Sequence, residues 1–258
     1  MFPTKPGVME ARELVADDVV YSYDLVNESP KRIATYFDHI KRVEARDDYT
    51  VVFHLRHFNA EWSYRFGYGY YSGISPREMS QVDRKSWKNV TGSGPFQLER
   101  YIQANAHIYR KNEYYWDRIR LGHESYPLPF VDRVIYRIIK DEATYLTALR
   151  TGQLDILEAI RWIAVDHLKR TTPELQWNRY LATGGQFISL RVDQKPFDDI
   201  RVRRAMNLAV NQQEIVDHFY GGHAELMAYP QHPEFGEYFE PLEAMPDAVQ
   251  ELFTHDPK

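Results

Sequence analysis

Apolar side chains recur at helical spacing in some stretches of this chain and alternate with polar side chains in others. Between residues 17 and 26 they lie three and four positions apart, which predicts a helix. Residues 43–55 alternate apolar and polar side chains around Asp47-Asp48, which predicts a β-hairpin with one buried face. Residues 96–109 are strand-like on both sides of a polar turn at 103–105, and they predict a second hairpin.

The middle of the chain predicts a strand–helix–strand unit. Residues 134–139 are a β-branched run, typical of a strand buried on both faces. Residues 141–151 carry a helical apolar stripe, and Gly152 follows where a C-terminal cap belongs. Residues 154–157 are predicted to form a second strand of the same sheet, reached by a right-handed crossover. A further helix is predicted over residues 160–168.

The last third of the chain is also predicted to contain both strands and helices. Strands are predicted over residues 175–182 and 186–192, and a helix over residues 202–210. Asn211 is followed three residues later by Glu214, a spacing that predicts a capping box and the start of another helix. This alternation of helices and strands predicts a fold of the α/β class with mixed α+β character.

Composition narrows the classes of function. Of the 258 residues, 43% are hydrophobic and 27% are charged, which is typical of a globular protein. The net charge of −5 provides no basic surface of the kind that nucleic acid requires, so no nucleic-acid partner is expected. With 0 Cys, the chain has no disulfide, thiolate metal site or thiol nucleophile.

The sequence also bears on the cellular compartment. No apolar run approaches the ~20 residues that span a bilayer, and residues 1–7 lack the apolar core of a secretion signal. The chain is therefore predicted to be either a cytoplasmic protein or an internal piece of an exported one.

No arrangement typical of an enzyme is found in the sequence. Gly92-Ser93-Gly94 lacks the flanking residues of a nucleophile elbow. The 10 His are scattered, and His54 and His57 are interpreted as solvated strand residues because no third ligand falls in register. No carboxylate pair lies in an apolar setting that would raise a pKa. We expect no catalytic residue, no bound metal and no cofactor.

The stretch Thr91-Gly92-Ser93-Gly94-Pro95-Phe96 is the most informative in the chain. Gly92 and Gly94 would allow a tight turn or a close approach of the backbone to a neighbour. Pro95 favours an extended Gly94, so the chain leaves the turn straight. The motif lacks the further glycines or the Gly-Lys-Ser/Thr ending of a phosphate-binding loop. On its own it predicts a tight turn that leads into a hairpin.

Together with its surroundings, this stretch resembles family 5 of the solute-binding proteins, the peptide- and nickel-binding receptors of ABC importers. The resemblance rests on five segments in the order of the family: residues 16–22, 92–96, 110–116, 152–156 and 195–205. The departures are Ser93, where Thr is usual, and Val15, where a helix-capping Thr is usual.

The resemblance implies a periplasmic-binding-protein-like fold of two lobes with an extra hairpin-rich subdomain, incomplete at both ends of this chain. Residues 1–88 would form that subdomain, residues 89–182 part of lobe I, and residues 183–258 the start of lobe II. It also implies a periplasmic or extracytoplasmic protein that delivers a peptide or other small-molecule solute to an ABC permease. The alternative is a solute-sensing domain of a regulatory protein.

Candidate ligand-binding residues follow from loops at the ends of predicted strands, where ligands of open α/β sheets usually lie. One group is the Gly92 loop and the other is a Gly-Gly loop, which is either an interlobe hinge or a plain hairpin turn. Residues 66–76 are rich in aromatic rings, which either face a ligand or pack on the first hairpin. The candidates are Tyr70, Tyr71, Gly92, Ser93, Gly94, Phe96, Gly184, Gly185, Gln186 and Phe187.

If the second lobe is only begun within these residues, one wall of the cleft is absent. We then expect this piece alone to bind solute weakly, because closure of both walls buries most of the ligand. We also expect it to self-associate through sheet edges and apolar faces that would otherwise be covered.

Overall fold

The computed structural model describes residues 1–67, 73–181, 186–226 and 239–257. The chain forms two compact units, Met1–Lys140 and Asp141–Lys258. The predicted boundaries at residues 88 and 182 remain predictions.

The first unit begins with a helix and a hairpin that the sequence predicts. Helix α1 spans Ala16–Asn27, and strands β1 (Ile40–Asp47) and β2 (Thr50–Leu55) pair antiparallel with Val43 opposite Phe53. Both predictions are confirmed. A 3₁₀ turn at Ala34–Tyr36 precedes the hairpin. Helix α2 (Trp62–Gly67) and 3₁₀ turns at Arg77–Gln81 and Trp87–Asn89 follow it.

The first unit also contains a three-stranded antiparallel sheet and a separate hairpin. Strands β3 (Phe96–Ile102) and β4 (Ala106–Lys111) make the second predicted hairpin, which is confirmed. A separate hairpin of β5 (Arg118–Leu121) and β6 (Glu124–Pro127) lies between β4 and the third strand. The pattern of the sequence does not reveal this hairpin, because all eight of its strand residues are exposed and show no alternation of burial.

The predicted strand–helix–strand unit is wrong. Strand β7 (Arg133–Arg137) pairs antiparallel with β4 at the edge of the first unit's sheet, in the order β3-β4-β7. It is not buried on both faces, since Tyr136 is 63% exposed. Residues 154–157 form no strand, and neither do residues 175–181 and 186–192. A short apolar run does not determine whether a segment forms a strand or which strand it pairs with, because pairing depends on which backbone segment lies beside it in the folded chain.

The elements of the second unit within the described ranges are helices, and several of them begin at a side-chain cap. Helix α3 (Glu142–Arg150) begins at Asp141, whose carboxylate accepts a hydrogen bond from the Thr144 N–H at 2.9 Å. It ends before Gly152, whose φ of +67° is the left-handed value expected of a C-terminal glycine. The remaining helices are α4 (Trp162–Thr171), α5 (Ile200–Leu208), α6 (Gln212–Glu214), continued as a π-helical turn at Ile215–Phe219, and α7 (Asp247–Gln250); 3₁₀ turns lie at Leu242–Ala244 and Glu251–Phe253.

The predicted cap at Asn211 is confirmed, since its side-chain oxygen accepts a hydrogen bond from the Glu214 N–H at 3.0 Å. The predicted helices over residues 141–151, 160–168 and 202–210 are also confirmed, with ends shifted by one to three residues.

Each unit has its own buried apolar side chains. In the first unit these are Phe2, Met9, Ala16, Ile40, Met79 and Ala106, and in the second Ala148, Leu149, Leu168 and Met245. Aromatic rings add to the first core: the ring of Phe66 lies 4.6 Å from that of Phe53 on the first hairpin. Phe66 therefore packs on the first hairpin, which is one of the two alternatives that the sequence leaves open for the aromatic segment. Within the described ranges, no helix is both long and apolar enough to cross a membrane.

Candidate functional site

The Gly-Ser-Gly loop, residues 91–95, connects a 3₁₀ turn to strand β3 and is held by a buried glutamine. The Gln97 side chain, 5% exposed, donates a hydrogen bond through Nε2 to the carbonyl oxygen of Gly92 at 2.6 Å. Its other side-chain atom, Oε1, accepts a hydrogen bond from the Thr91 hydroxyl at 3.2 Å. A buried amide must find partners for both its donor and its acceptor, so Gln97 fixes the first half of the loop.

A buried asparagine holds the second half of the loop. Asn112, 2% exposed, donates through Nδ2 to the carbonyl oxygen of Gly94 at 2.8 Å. Its main-chain N–H donates to the Pro95 carbonyl oxygen at 2.9 Å, and its Oδ1 accepts from the Tyr114 N–H at 3.1 Å. Asn112 therefore joins the Gly-Ser-Gly loop to the segment that contains Tyr114.

The register of the hairpin explains why these two segments meet. Phe96 lies opposite Lys111, so the residue before β3 and the residue after β4 are neighbours. The two most distinctive matched segments, 92–96 and 110–116, are thus one structural unit. The roles of Gln97 and Asn112 are not among the expectations drawn from the sequence. The sequence does contain a signal for them, since an amide residue lies next to each end of the predicted hairpin. When such a side chain is buried, its polar atoms must find hydrogen-bond partners.

The two glycines of the loop do not serve the purpose that the sequence suggested. Neither Gly92 nor Gly94 has a φ in the left-handed region, and a Cβ built on either would meet no described atom within 4 Å. The expectation that a tight turn or a neighbouring part of the chain requires glycine is therefore wrong for the part of the chain that the structure describes. Within the described residues, nothing covers the side of the loop next to either glycine.

The loop is electrically neutral and carries hydrogen-bonding groups only. A charged side chain, Lys5, contacts strand β3 after the loop, where its Nζ donates to the Leu98 carbonyl oxygen at 3.4 Å. Burial and the nearby Arg110 charge both lower the pKa of Lys5. Thr91–Pro95 provides no nucleophile paired with a base. The arrangement offers main-chain and hydroxyl groups that can bind a polar group.

The other candidate residues are not part of this loop. Phe96 is the first residue of β3 and is half-buried opposite Lys111. Gln186 and Phe187 belong to the second unit, where the Phe187 side chain is 75% exposed. The remaining four candidates lie outside the described residues: Tyr70, Tyr71, Gly184 and Gly185.

Metal-binding groups and cavities elsewhere in the described residues are the alternatives to this loop. No group of three or more His, Cys, Asp or Glu that could hold a metal ion is found there. His54 instead contacts the Glu44 carboxylate at 2.8 Å across the first hairpin. A cavity of about 450 Å³ beside the C-terminal end of α1 is lined by Lys31, Arg32 and Arg84, among others, and shares no residue with the loop.

The chain belongs to the family of bacterial extracellular solute-binding proteins, family 5, whose middle-region model matches residues 11–257. The resemblance that rested on five short segments is thus confirmed, as is the fold class. The matched range contains the Gly-Ser-Gly loop and Asn112.

Three similar proteins illustrate the range of the family. Di/tripeptide-binding protein 1 of Pseudomonas aeruginosa (strain UCBPP-PA14) is 28% identical over 256 residues, 91% of this chain and 45% of that protein. Heme-binding protein A of Haemophilus influenzae is 26% identical over 264 residues, 95% of this chain and 46% of that protein. The solved structure of the Helicobacter pylori periplasmic binding protein DppA in complex with the peptide STSA matches with a TM-score of 0.77 and 25% identity, over 97% of this chain and 51% of that chain.

This chain therefore spans about half the length of the relatives that it matches. Family membership and fold are properties of these 258 residues, whereas solute, partner and compartment are properties of the whole protein.

Proposed function

We propose that the protein is the substrate-binding component of an ABC importer, which captures a short peptide and delivers it to a membrane permease. The observation that carries the proposal is the family match over residues 11–257. The choice of a peptide rests on two relatives, one named for di- and tripeptides and one solved with a bound tetrapeptide. Such a protein works in the periplasm or another extracytoplasmic space and catalyses no reaction.

This function depends on a shift from an open to a closed state, and ligand binding stabilises the closed state. Peptide recognition in such a protein uses hydrogen bonds from main-chain groups, which are common to all peptides, and pockets for the side chains. A ligand shifts the open–closed equilibrium only by its difference in affinity for the two states. Gly92, Ser93, Gly94 and Phe96 are our candidates for main-chain contacts on the first unit, and Gln186 and Phe187 are candidates on the second.

The test is a titration calorimetry series on the protein expressed from its complete reading frame. Trialanine and the tetrapeptide Ser-Thr-Ser-Ala are the peptide probes, and hemin is included because one relative is named for heme. We expect saturable binding of at least one peptide and none of hemin. Binding of hemin alone, or of no probe, would contradict the proposal.

A solute-sensing domain of a regulatory protein is the second candidate, since the same fold can serve it. Deletion of the gene distinguishes the two. A transport component is required for uptake of the radiolabelled peptide by cells, whereas a sensor changes transcription or signalling and leaves uptake by an independently expressed importer intact.

A further inference from the structure

The glycines of the Gly-Ser-Gly loop have no explanation within the described structure. Glycine is needed where φ is positive or where another group approaches the backbone too closely for a Cβ. The first reason is absent at both positions, and no described atom comes within 4 Å of a Cβ built at either. The remaining reason is a group from outside the described chain that approaches the backbone on its open side.

The hydrogen bonds of the loop fix the direction of its main-chain groups. The Gly92 carbonyl accepts from Gln97 and the Gly94 carbonyl accepts from Asn112, so both oxygens face buried side chains. In a trans peptide the C=O and the following N–H point in opposite directions. The Ser93 N–H therefore points away from the Gln97 side chain, and no described residue accepts a hydrogen bond from it.

We infer that the solute lies directly against the backbone of residues 92–94 and accepts a hydrogen bond from the Ser93 N–H. The inference rests on the proposed function and adds the chemistry of this contact. The ligand group is an acceptor oxygen, either a peptide carbonyl or a carboxylate, because the loop offers it a main-chain donor and no positive charge. Main-chain donation fits a receptor for peptides of varied sequence, since every peptide unit carries the same acceptor.

Gln97 and Asn112 are positioning residues in this arrangement. Neither needs to touch the solute, because each holds one glycine carbonyl and thereby sets the angle of the peptide planes beside Ser93. A donor held in place before binding costs less conformational entropy to engage than one that must be ordered by the ligand.

The first test replaces a glycine and measures affinity and stability separately. Gly94→Ala meets no described atom, so we expect the melting temperature of the ligand-free protein to be unchanged or raised. The added methyl group lies where we place the solute, so we expect peptide affinity to fall at least tenfold. Gln103→Ala is the control, because Gln103 lies at the exposed turn of the same hairpin, and it should change neither quantity.

The second test uses the pH dependence of one variant. Asn112→Asp keeps the oxygen that accepts from the Tyr114 N–H but, when ionised, cannot donate to the Gly94 carbonyl. We expect peptide affinity relative to the unmodified protein to be reduced about tenfold at pH 8. At pH 5 it should be largely restored, because a buried carboxyl protonates readily and its O–H can donate. Asn105→Asp, at the exposed turn of the same hairpin, should show no such pH dependence.

All titrations use the protein from its complete reading frame with the peptide found to bind best among trialanine and Ser-Thr-Ser-Ala. If the unmodified protein binds neither, the proposed function fails and this inference fails with it. If it binds but Gly94→Ala binds equally well, the solute does not contact this backbone and only the inference is overturned. If Asn112→Asp is equally weak at both pH values while Gly94→Ala is impaired, the contact stands and the positioning role of Asn112 is overturned.

Discussion

Arg12 is the centre of an ion-pair network in the first unit, where it pairs with both Asp18 and Glu78. Its guanidinium donates to both oxygens of Asp18, at 2.7 and 2.8 Å, and to Glu78 through Nε at 2.7 Å. Asp18 is fully buried and also accepts hydrogen bonds from the Val15 and Arg77 main-chain N–H groups. The network therefore ties the N-terminal segment, helix α1 and the 3₁₀ turn at Arg77–Gln81 together.

We expect Arg12→Met to lower the free energy of unfolding by about 3 kcal/mol, because it leaves the buried Asp18 carboxylate without its counter-ion. Urea unfolding at pH 7 measures the change. Arg77→Met is the matched control: Arg77 pairs with Asp17 through side chains that are more than half exposed, so its loss should cost less than about 1 kcal/mol. Equal effects of the two variants would show that the network does not stabilise the unit.

The same network predicts a loss of stability in acid. Burial raises the pKa of Asp18, but hydrogen bonds from Arg12, Val15 and Arg77 outweigh it, and the net pKa is lowered. The pKa of Glu78 is also lowered, chiefly by its hydrogen bond from Arg12. A carboxylate with a lowered folded-state pKa stabilises the fold above its unfolded-state pKa, and this contribution disappears as the pH falls through the lowered value.

We therefore expect the free energy of unfolding to fall as the pH is lowered below about 4, the ordinary range of these carboxyl groups. Urea unfolding between pH 7 and pH 3 measures the slope. In Arg12→Met the slope should be smaller, because the partner that lowers both pKa values is gone. An unchanged slope in that variant would assign the acid sensitivity to other carboxylates.

At the scale of elements, helix α3 shows how much a local signal can determine. Asp141 caps its first turn, and Gly152 with its left-handed φ follows its last. We expect Asp141→Ala to reduce the free energy of unfolding by about 1 kcal/mol, since it removes the acceptor for the Thr144 N–H. Thermal unfolding followed by circular dichroism measures the loss. Asp155→Ala, at an exposed position beyond the helix, should be neutral, and a similar loss there would refute the capping argument.

At the scale of the whole molecule, large apolar side chains remain on the surface of both units. Trp116 is 73% exposed in the first, and Phe187 and Ile188 are 75% and 78% exposed in the second. Adjacent exposed apolar side chains favour association. We expect the 258-residue chain to self-associate as its concentration rises, and sedimentation velocity measures this.

The double variant Phe187→Ser/Ile188→Ser should shift that equilibrium towards monomer, because it removes two neighbouring apolar side chains from the surface. Phe58→Ser is the control, since Phe58 is 77% exposed but lies outside this pair in the first unit. A chain that stays monomeric at every concentration would contradict the prediction.

The sequence by itself determined the elements whose signals are local. Helix α1, both hairpins at residues 40–55 and 96–111, the caps at Asn211 and Gly152, and family membership were all readable from spacing, turn chemistry and short motifs. Periodicity indicates which face of a segment is buried, and capping depends on residues three or four positions apart. Both can therefore be recognised in the sequence without knowledge of the fold.

Only the tertiary structure decided which distant segments meet. It placed β7 beside β4 instead of beside residues 154–157, and it brought Arg12 to Glu78, 66 residues away. It also placed the amide of Asn112 against the Gly94 carbonyl, 18 residues earlier in the chain. Strand pairing and buried polar contacts depend on which backbone and side-chain groups become neighbours when the chain is compact, and no local pattern encodes that choice.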